Sequence, residues 1–291
     1  MAERSDQPPV YPLPSRPIRI AAAQAQAVAG DVEANAVTAA AMVGQAAQDG
    51  ARLVVFPEKF LSGYEPGLIR ADPQRRAVQP GDPRLDPIAE TCRGTGTVAI
   101  VGAAMHDRRD LYVSALVIDA NGDLVARYDK QALFRTERDI YRAGTTGCTL
   151  ELDGWRLGLG ICYDAGFPEH ARAAALDGCH AYLVGGLFSV GVGYHESRTW
   201  FPARALDNTC HTLLANHIGR TGGWDACGAS AIWGPDGRLL AEAGPDAPAV
   251  ITAELDPHML KTARDAEPLL NDLSGIHGAE PASPRTLHTL G

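Results

Sequence analysis

Short apolar runs alternate along this chain with longer stretches that are rich in alanine or spaced by polar residues. Runs of about four to eight apolar residues bounded by turn formers predict strands, and longer stretches with a period near 3.6 predict helices. Residues 17–26 predict a first strand, with Pro17 at the very start, where a strand tolerates it. Residues 35–48 are Ala-rich and end before Gly50, a helix followed by its stop. Residues 53–56 predict the next strand, closed by Pro57; residues 86–92 predict a short helix and 98–104 a strand. Residues 112–118 and 124–128 flank Asn121-Gly122, the strongest short-range hairpin signal. The run 155–161 predicts a buried strand, 167–176 a helix, and 182–184 a strand leading into the glycine-rich loop 185–193. Residues 194–208 predict a helix bent at Pro202, and 210–218 a strand. Residues 229–233 and 238–241 flank Gly234-Pro-Asp-Gly, a second hairpin, and 249–255 form the last strand.

Strands and helices alternate, and two hairpins interrupt them. This predicts one α/β domain of stacked sheets covered by helices, spanning residues 17–256. Residues 1–16 hold four of the twenty prolines and read as a flexible arm. Residues 257–291 mix proline, glycine, histidine and charge and read as a C-terminal arm or tail, with a place at a subunit interface open to it.

Three strand ends carry chemistry. Cys162 follows the run 155–161, Glu58 follows Leu53-Val-Val-Phe-Pro57, and Lys130 follows Leu124-Val-Ala-Arg-Tyr-Asp129. A free thiol has a pKa near ~8.5, so a nucleophilic cysteine needs a base or a positive charge nearby. Glu58 supplies the first and Lys130 the second, and buried together they would compensate each other. Taken singly, each has a plain reading: a core cysteine, a turn glutamate, a solvated hairpin end. Taken as three strand-end residues they point to a covalent catalyst.

Other candidates are weaker. His211 and His217 lie six apart in one strand-like run, too far along it to share a metal. His170, His180 and His195 have no evident sequence partner, and a Cys–His dyad with one of them is the lesser alternative. The loop 185–193 lacks the spacing and the Lys-Ser/Thr of a nucleotide site and reads as a pocket rim. Trp200 and Trp233 read as core or interface.

Bulk properties narrow the field. With 291 residues, 45% hydrophobic and 21% charged, the chain suits a globular protein. A net charge of -9 argues against nucleic acid as partner. No long uncharged apolar stretch indicates a membrane span, and the N-terminus shows no secretory h-region. Six widely spaced cysteines without a C-x-x-C pair argue against a disulfide framework or a zinc site and for a reducing cytoplasm. No metal or cofactor is expected. A thiol redox protein would want a resolving cysteine near Cys162, and none is near in sequence.

These residues resemble the carbon–nitrogen hydrolase, or nitrilase-like, superfamily over residues 17–256. The resemblance rests on Phe56-Pro-Glu58 with Gly63-Tyr64, on Tyr128-Asp-Lys130, and on Gly160-Ile-Cys162-Tyr-Asp-x-x-Phe-Pro-Glu169-x-x-Arg172. Ala203-Arg-Ala-Leu-Asp-Asn208 and Ala215-Asn216 add to it. The resemblance implies a four-layer αββα sandwich that pairs into a homodimer or higher homo-oligomer. It implies a triad of Glu58, Lys130 and Cys162, with Glu137 as a second glutamate after the lysine. It implies substrate contacts from Tyr64, Tyr163, Gly186 and Leu187. Tyr163-Asp164 stands where true nitrilases usually carry Trp-Glu, which looks like the amidase and carbamoylase branches. The expected activity is hydrolysis of a small amide or N-carbamoyl compound through a cysteine thioester. Nitrile hydrolysis and a non-catalytic small-molecule-binding relative are the alternatives. Ala165-Gly166 and Gly185-Gly186 depart from many relatives where the pocket wall should be.

Overall fold

The computed structural model describes residues 12–273 and 284–290. Strands β1 (Ile18–Gln24), β2 (Leu53–Val55), β3 (Val98–Asp107), β4 (Asp110–Ile118) and β5 (Leu124–Asp129) join β14 (Ala249–Leu255) in one sheet, ordered β14-β1-β2-β3-β4-β5. Strands β6 (Gly147–Leu152), β7 (Trp155–Ile161), β8 (Ala181–Gly186), β9 (His211–Asn216), β12 (Ala231–Trp233), β13 (Leu239–Glu242) and β15 (Arg285–Thr289) form the second, ordered β13-β12-β9-β8-β7-β6-β15. Strands β10 (Ile218–Thr221) and β11 (Trp224–Cys227) make a separate hairpin.

The two sheets pack face to face. Ile18, Ile20 and Ala22 of β1 turn into the core between them, against Leu157, Leu159 and Leu183 of the second sheet. Ala21 and Ala23 turn the other way, onto helices Val32–Gln48 and Asp86–Thr95. Tyr182, Val184 and Leu214 meet helices Pro168–Leu176 and Val192–Asn208 through Ala171 and Phe201. The result is the expected αββα sandwich. Helices cover the outer face of each sheet, so the parallel strands β1–β3 and β7–β9 are buried on both faces. This is why they read as continuous apolar runs without alternation.

Several elements depart from the sequence reading. β3 runs on to Asp107 and turns through Arg108, at φ 58°, into β4; no Asn-Gly or Asp-Gly marks that hairpin. β6, the β10–β11 hairpin and the helix Pro257–Ala266 carried no signal that set them apart. That helix docks through the buried Leu260. β15 pairs in parallel with β6, so residues 285–289 form an edge strand of this chain's own sheet. Within the expected N-terminal arm, Leu13 packs on the core and the Arg16 carbonyl accepts a 2.9 Å bond from Trp155 Nε1. Residues 1–11 of the arm and 274–283 of the tail lie outside the described residues.

Two glycines set the distance between the sheets near the carboxy end of β2. A methyl on Gly102 of β3 would run into the Pro57 carbonyl and stand 2.6 Å from the Lys59 nitrogen; one on Gly185 of β8 would meet Phe56 O and stand 3.2 Å from Glu58 N. The turn carrying Glu58 is clasped between them. Gly102→Ala is therefore expected to destabilise by about 1–3 kcal/mol through overpacking. The displaced backbone is Glu58's own, so kcat should fall with it. An unshifted urea midpoint together with unchanged kcat would contradict this.

Candidate active site

β5 is antiparallel to β4, which is antiparallel to β3, so β5 runs with β1–β3 and all end at one edge. Open parallel sheets bind ligands outside the carboxy ends of their strands. Glu58 lies just past β2, Lys130 immediately past β5 and Cys162 immediately past β7. The fold thus brings three residues 104 positions apart in sequence, from Glu58 to Cys162 (162 − 58), to one place.

Four buried charges form a line of alternating sign. Glu58 Oε1 accepts from Lys130 Nζ at 2.7 Å, Lys130 Nζ donates to Glu137 Oε2 at 2.7 Å, and Glu137 Oε1 accepts from Lys59 Nζ at 2.9 Å. All four side chains are fully buried. Two carboxylates against two ammoniums leave no net charge, which such burial requires. Glu137 also accepts from Tyr64 OH at 2.9 Å and from Phe134 N at 2.8 Å. Lys59 Nζ sits 3.5 Å from the centroid of the Tyr64 ring. One acceptor in the line stays open: Glu58 Oε2 has no hydrogen-bond partner among the described residues. The Glu58 backbone is held separately, its carbonyl 2.7 Å from His217 Nε2. Burial lowers the His217 pKa to about 4, so the ring is neutral, and a carbonyl can only accept, so Nε2 carries the proton.

Cys162 opens the 3-10 turn Cys162–Gly166 with φ 47°, a left-handed conformation costly for a residue with a Cβ. It is half-buried, with Sγ 3.6 Å from the Leu187 carbonyl. Asp164, two residues on, ties two strand ends together. Its Oδ2 accepts from Ile161 N at 3.0 Å and Tyr128 OH at 2.7 Å, and its Oδ1 accepts from Ala132 N at 2.8 Å. His170 bridges Tyr128 OH, 2.7 Å from Nε2, and Tyr182 OH, 2.8 Å from Nδ1.

The electrostatics follow from burial and order along the line. Burial raises the Glu58 carboxyl above its ordinary range against the pull of Lys130. Burial also works against Glu137, but Lys59 and Lys130 outweigh it and hold that carboxyl far below its ordinary range. Lys130 stays charged: burial opposes it, and the carboxylates of Glu58 and Glu137, both bonded to its ammonium, outweigh burial. Burial, reinforced by Glu58, pushes the Cys162 thiol well up, so the resting sulfur carries its proton.

A cavity of about 320 Å³ opens onto Cys162. Tyr64, Tyr163 and Leu187 line it, as do Phe188, Ser189, Val192 and Gly193 of the expected pocket rim. Gly186 does not line it. That residue is buried, and a Cβ on it would stand 2.9 Å from the Phe188 ring. Trp200 corrects another expectation: it lines the cavity, whereas Trp233 is buried and stacks on Phe201 at 5.4 Å. His211 and His217 are both fully buried. Among the described residues no group of three or more His, Cys, Asp or Glu side chains could hold a metal ion. The sequence gives no sign of Lys59's place in the line, and it marks Asp164 and His217 only as part of a branch signature and as a histidine too far from His211 to share a metal. A lysine after a glutamate in a turn reads as solvated, and only the partner 78 positions away shows otherwise.

Residues 19–265 match the carbon–nitrogen hydrolase family model, and the chain belongs to that family of hydrolases. A hydrolase of the pqqF 5' region of Pseudomonas protegens is 36% identical over 225 residues, covering 76% of this chain and 78% of the relative. Nit3 of Saccharomyces cerevisiae, a member of branch 10 of the nitrilase superfamily, superposes with a TM-score of 0.81 at 26% identity, covering 88% of this chain and 96% of that one. The amidase of Nesterenkonia sp. AN1, in a structure with acrylamide added at its active-site cysteine, gives a TM-score of 0.75 at 27% identity, covering 86% of this chain and 97% of that one.

Proposed function

We propose that this enzyme hydrolyses the C–N bond of a small amide or N-carbamoyl compound through a thioester on Cys162. The observation that carries the reading is the buried pair beside Cys162: an ammonium, and a carboxylate that keeps one oxygen open. Glu58 Oε2 takes the thiol proton, and the sulfur attacks the carbonyl carbon. The carbonyl electron pair moves onto oxygen, where Lys130 and the backbone N–H of Tyr163 hold it. Collapse expels the amine, which takes its proton from Glu58. Glu58 then activates water, and attack on the thioester releases the acid and restores the thiol. Glu137 keeps Lys130 in place and is itself fixed by Lys59, Tyr64 and the Phe134 amide. The aromatic cavity fits a small organic acyl or amine group, and no step needs a cofactor.

The relatives favour amides over nitriles: Nesterenkonia sp. AN1 contributes an amidase, and the yeast relative NIT3 is an omega-amidase, 27% identical over 272 residues. Ammonia or amine release from short amides, ω-amides, N-carbamoyl compounds and nitriles tests the assignment. Release from amides and not from nitriles is expected. The reverse selects the nitrile reading, and release from none selects a binding protein. We further place the enzyme in the cytoplasm as a homodimer or larger homo-oligomer. Six unpaired cysteines suit a reducing compartment, and the likeness to the superfamily favours pairing.

The base role sets a pH dependence. Glu58 must be ionised to take the proton, and its pKa is raised by burial. The acid limb of kcat/KM should therefore have its midpoint above the ordinary glutamate value of about 4.3. The two glutamates act oppositely on stability. Glu58, raised in the fold, contributes stability below about 4.3 that is lost as pH rises through its native pKa. Glu137, lowered in the fold, contributes stability above about 4.3 that is lost as pH falls through its native pKa. A midpoint at or below about 4.3 in the rate profile would remove Glu58 from the base role.

A further inference from the structure

Two charged side chains line the cavity, Arg135 and Glu196. They are not equivalent. Arg135 is exposed, so water solvates its charge, and its guanidinium lies 4.9 Å from the centroid of the Phe134 ring. Glu196, on the helix Val192–Asn208, is half-buried and has no hydrogen bond or ion pair among the described residues. A carboxylate drawn partly out of water without a partner is an unmet demand for a cation. Its surroundings suit one. Trp200 stands one helical turn further on, and Tyr163 and Trp224 line the same cavity. Aromatic faces attract cations, and a carboxylate binds an ammonium by a charge-assisted bond. The ring of Trp200 lies against Gly166, where a Cβ would stand 3.1 Å from it, so that wall is aromatic and uncharged. Lys59 and Lys130 are buried and engaged by Glu137 and Glu58, so neither partners Glu196. A net charge of -9 also favours the approach of cations.

We propose that Glu196 is a specificity-determining residue that selects amides bearing an ammonium group, with ω-amino amides as the substrate class. This rests on the reading of the cavity as the amide site. The ammonium seats between the Glu196 carboxylate and the Trp200 ring while the amide carbon meets Cys162.

The test compares kcat/KM for 6-aminohexanamide and hexanamide in wild type, Glu196→Gln and Glu196→Asp. Wild type should favour the cationic amide by about ten- to a hundredfold, as expected for a hydrogen bond to a charged group. Glu196→Gln should shrink that ratio at least tenfold, mainly through KM, and Glu196→Asp should restore part of it. A wild-type ratio near one, or a ratio unmoved by Glu196→Gln, overturns the proposal. Calorimetric binding of both compounds to Cys162→Ala protein separates this inference from the reaction itself. Tighter binding of 6-aminohexanamide that is lost on adding Glu196→Gln supports it even if neither amide is turned over, in which case the hydrolytic reading fails alone. Equal binding of the two compounds overturns it whatever the turnover.

Discussion

Cys162→Ala protein is expected to release no ammonia above background from any amide the wild type accepts, a loss of about 10⁴-fold or more. The expectation follows from where the sulfur sits. Cys162 lies at a strand end, half-buried at the cavity, beside a carboxylate with a free oxygen. No other described cysteine lines that cavity, so no neighbouring thiol can replace it. The fold should not suffer. Alanine shares the cost of φ 47°, the removed sulfur makes one long contact to the Leu187 carbonyl, and the four-charge line does not pass through it. The urea midpoint should shift by no more than corresponds to about 1 kcal/mol. Substantial turnover by this variant would mean direct attack by water and would end the thioester scheme.

Lys130→Met should be damaging in two ways at once. Methionine fills most of the buried volume but removes the ammonium that Glu58 and Glu137 share. Breaking a buried ion pair from one side typically destabilises by about 3–5 kcal/mol, because the partner charge stays buried and uncompensated. Loss of one oxyanion donor adds a fall in kcat of about 10²–10³-fold or more. The stability loss should shrink as pH falls. Without Lys130 the Glu58 carboxyl rises further, and its protonation removes the stranded charge. Adding Glu58→Gln to Lys130→Met should recover part of the stability and none of the activity, a coupling expected of contacting residues. Equal destabilisation across the acid range, or full additivity of the two changes, would show that the line of charges is not coupled as drawn.

The parts of this molecule that were legible in its sequence are those set by local rules. The buried parallel strands declared themselves as apolar runs because both faces are covered, and Asn121-Gly122 declared a hairpin because only certain residues take its φ values. Glu58, Lys130 and Cys162 were legible as strand-end residues, since a strand that stops at a charge or thiol must present it at a sheet edge. What stayed hidden depends on distant partners. Lys59 is a core residue because Glu137 neutralises it, and Asp164 matters because the Tyr128 hydroxyl and the Ala132 amide converge on it. The β3–β4 turn runs through Arg108 at φ 58°, a conformation held by long strand pairing with no turn residue to announce it. β15 was unreadable for a similar reason: its pairing with β6 joins residues about 140 positions apart, such as Thr286 with Cys148. Trp200 looked like core because a cavity-lining tryptophan on a helix has the same local pattern as a buried one.

The most direct test of the account is intact mass spectrometry after brief exposure to short amides, 6-aminohexanamide among them, with Cys162→Ala alongside. The account predicts an added mass equal to the acyl group, on wild type and absent from the variant. An adduct of equal mass on both proteins, or turnover with no adduct at any quench time while hydroxylamine fails to divert the product, would contradict a thioester on Cys162.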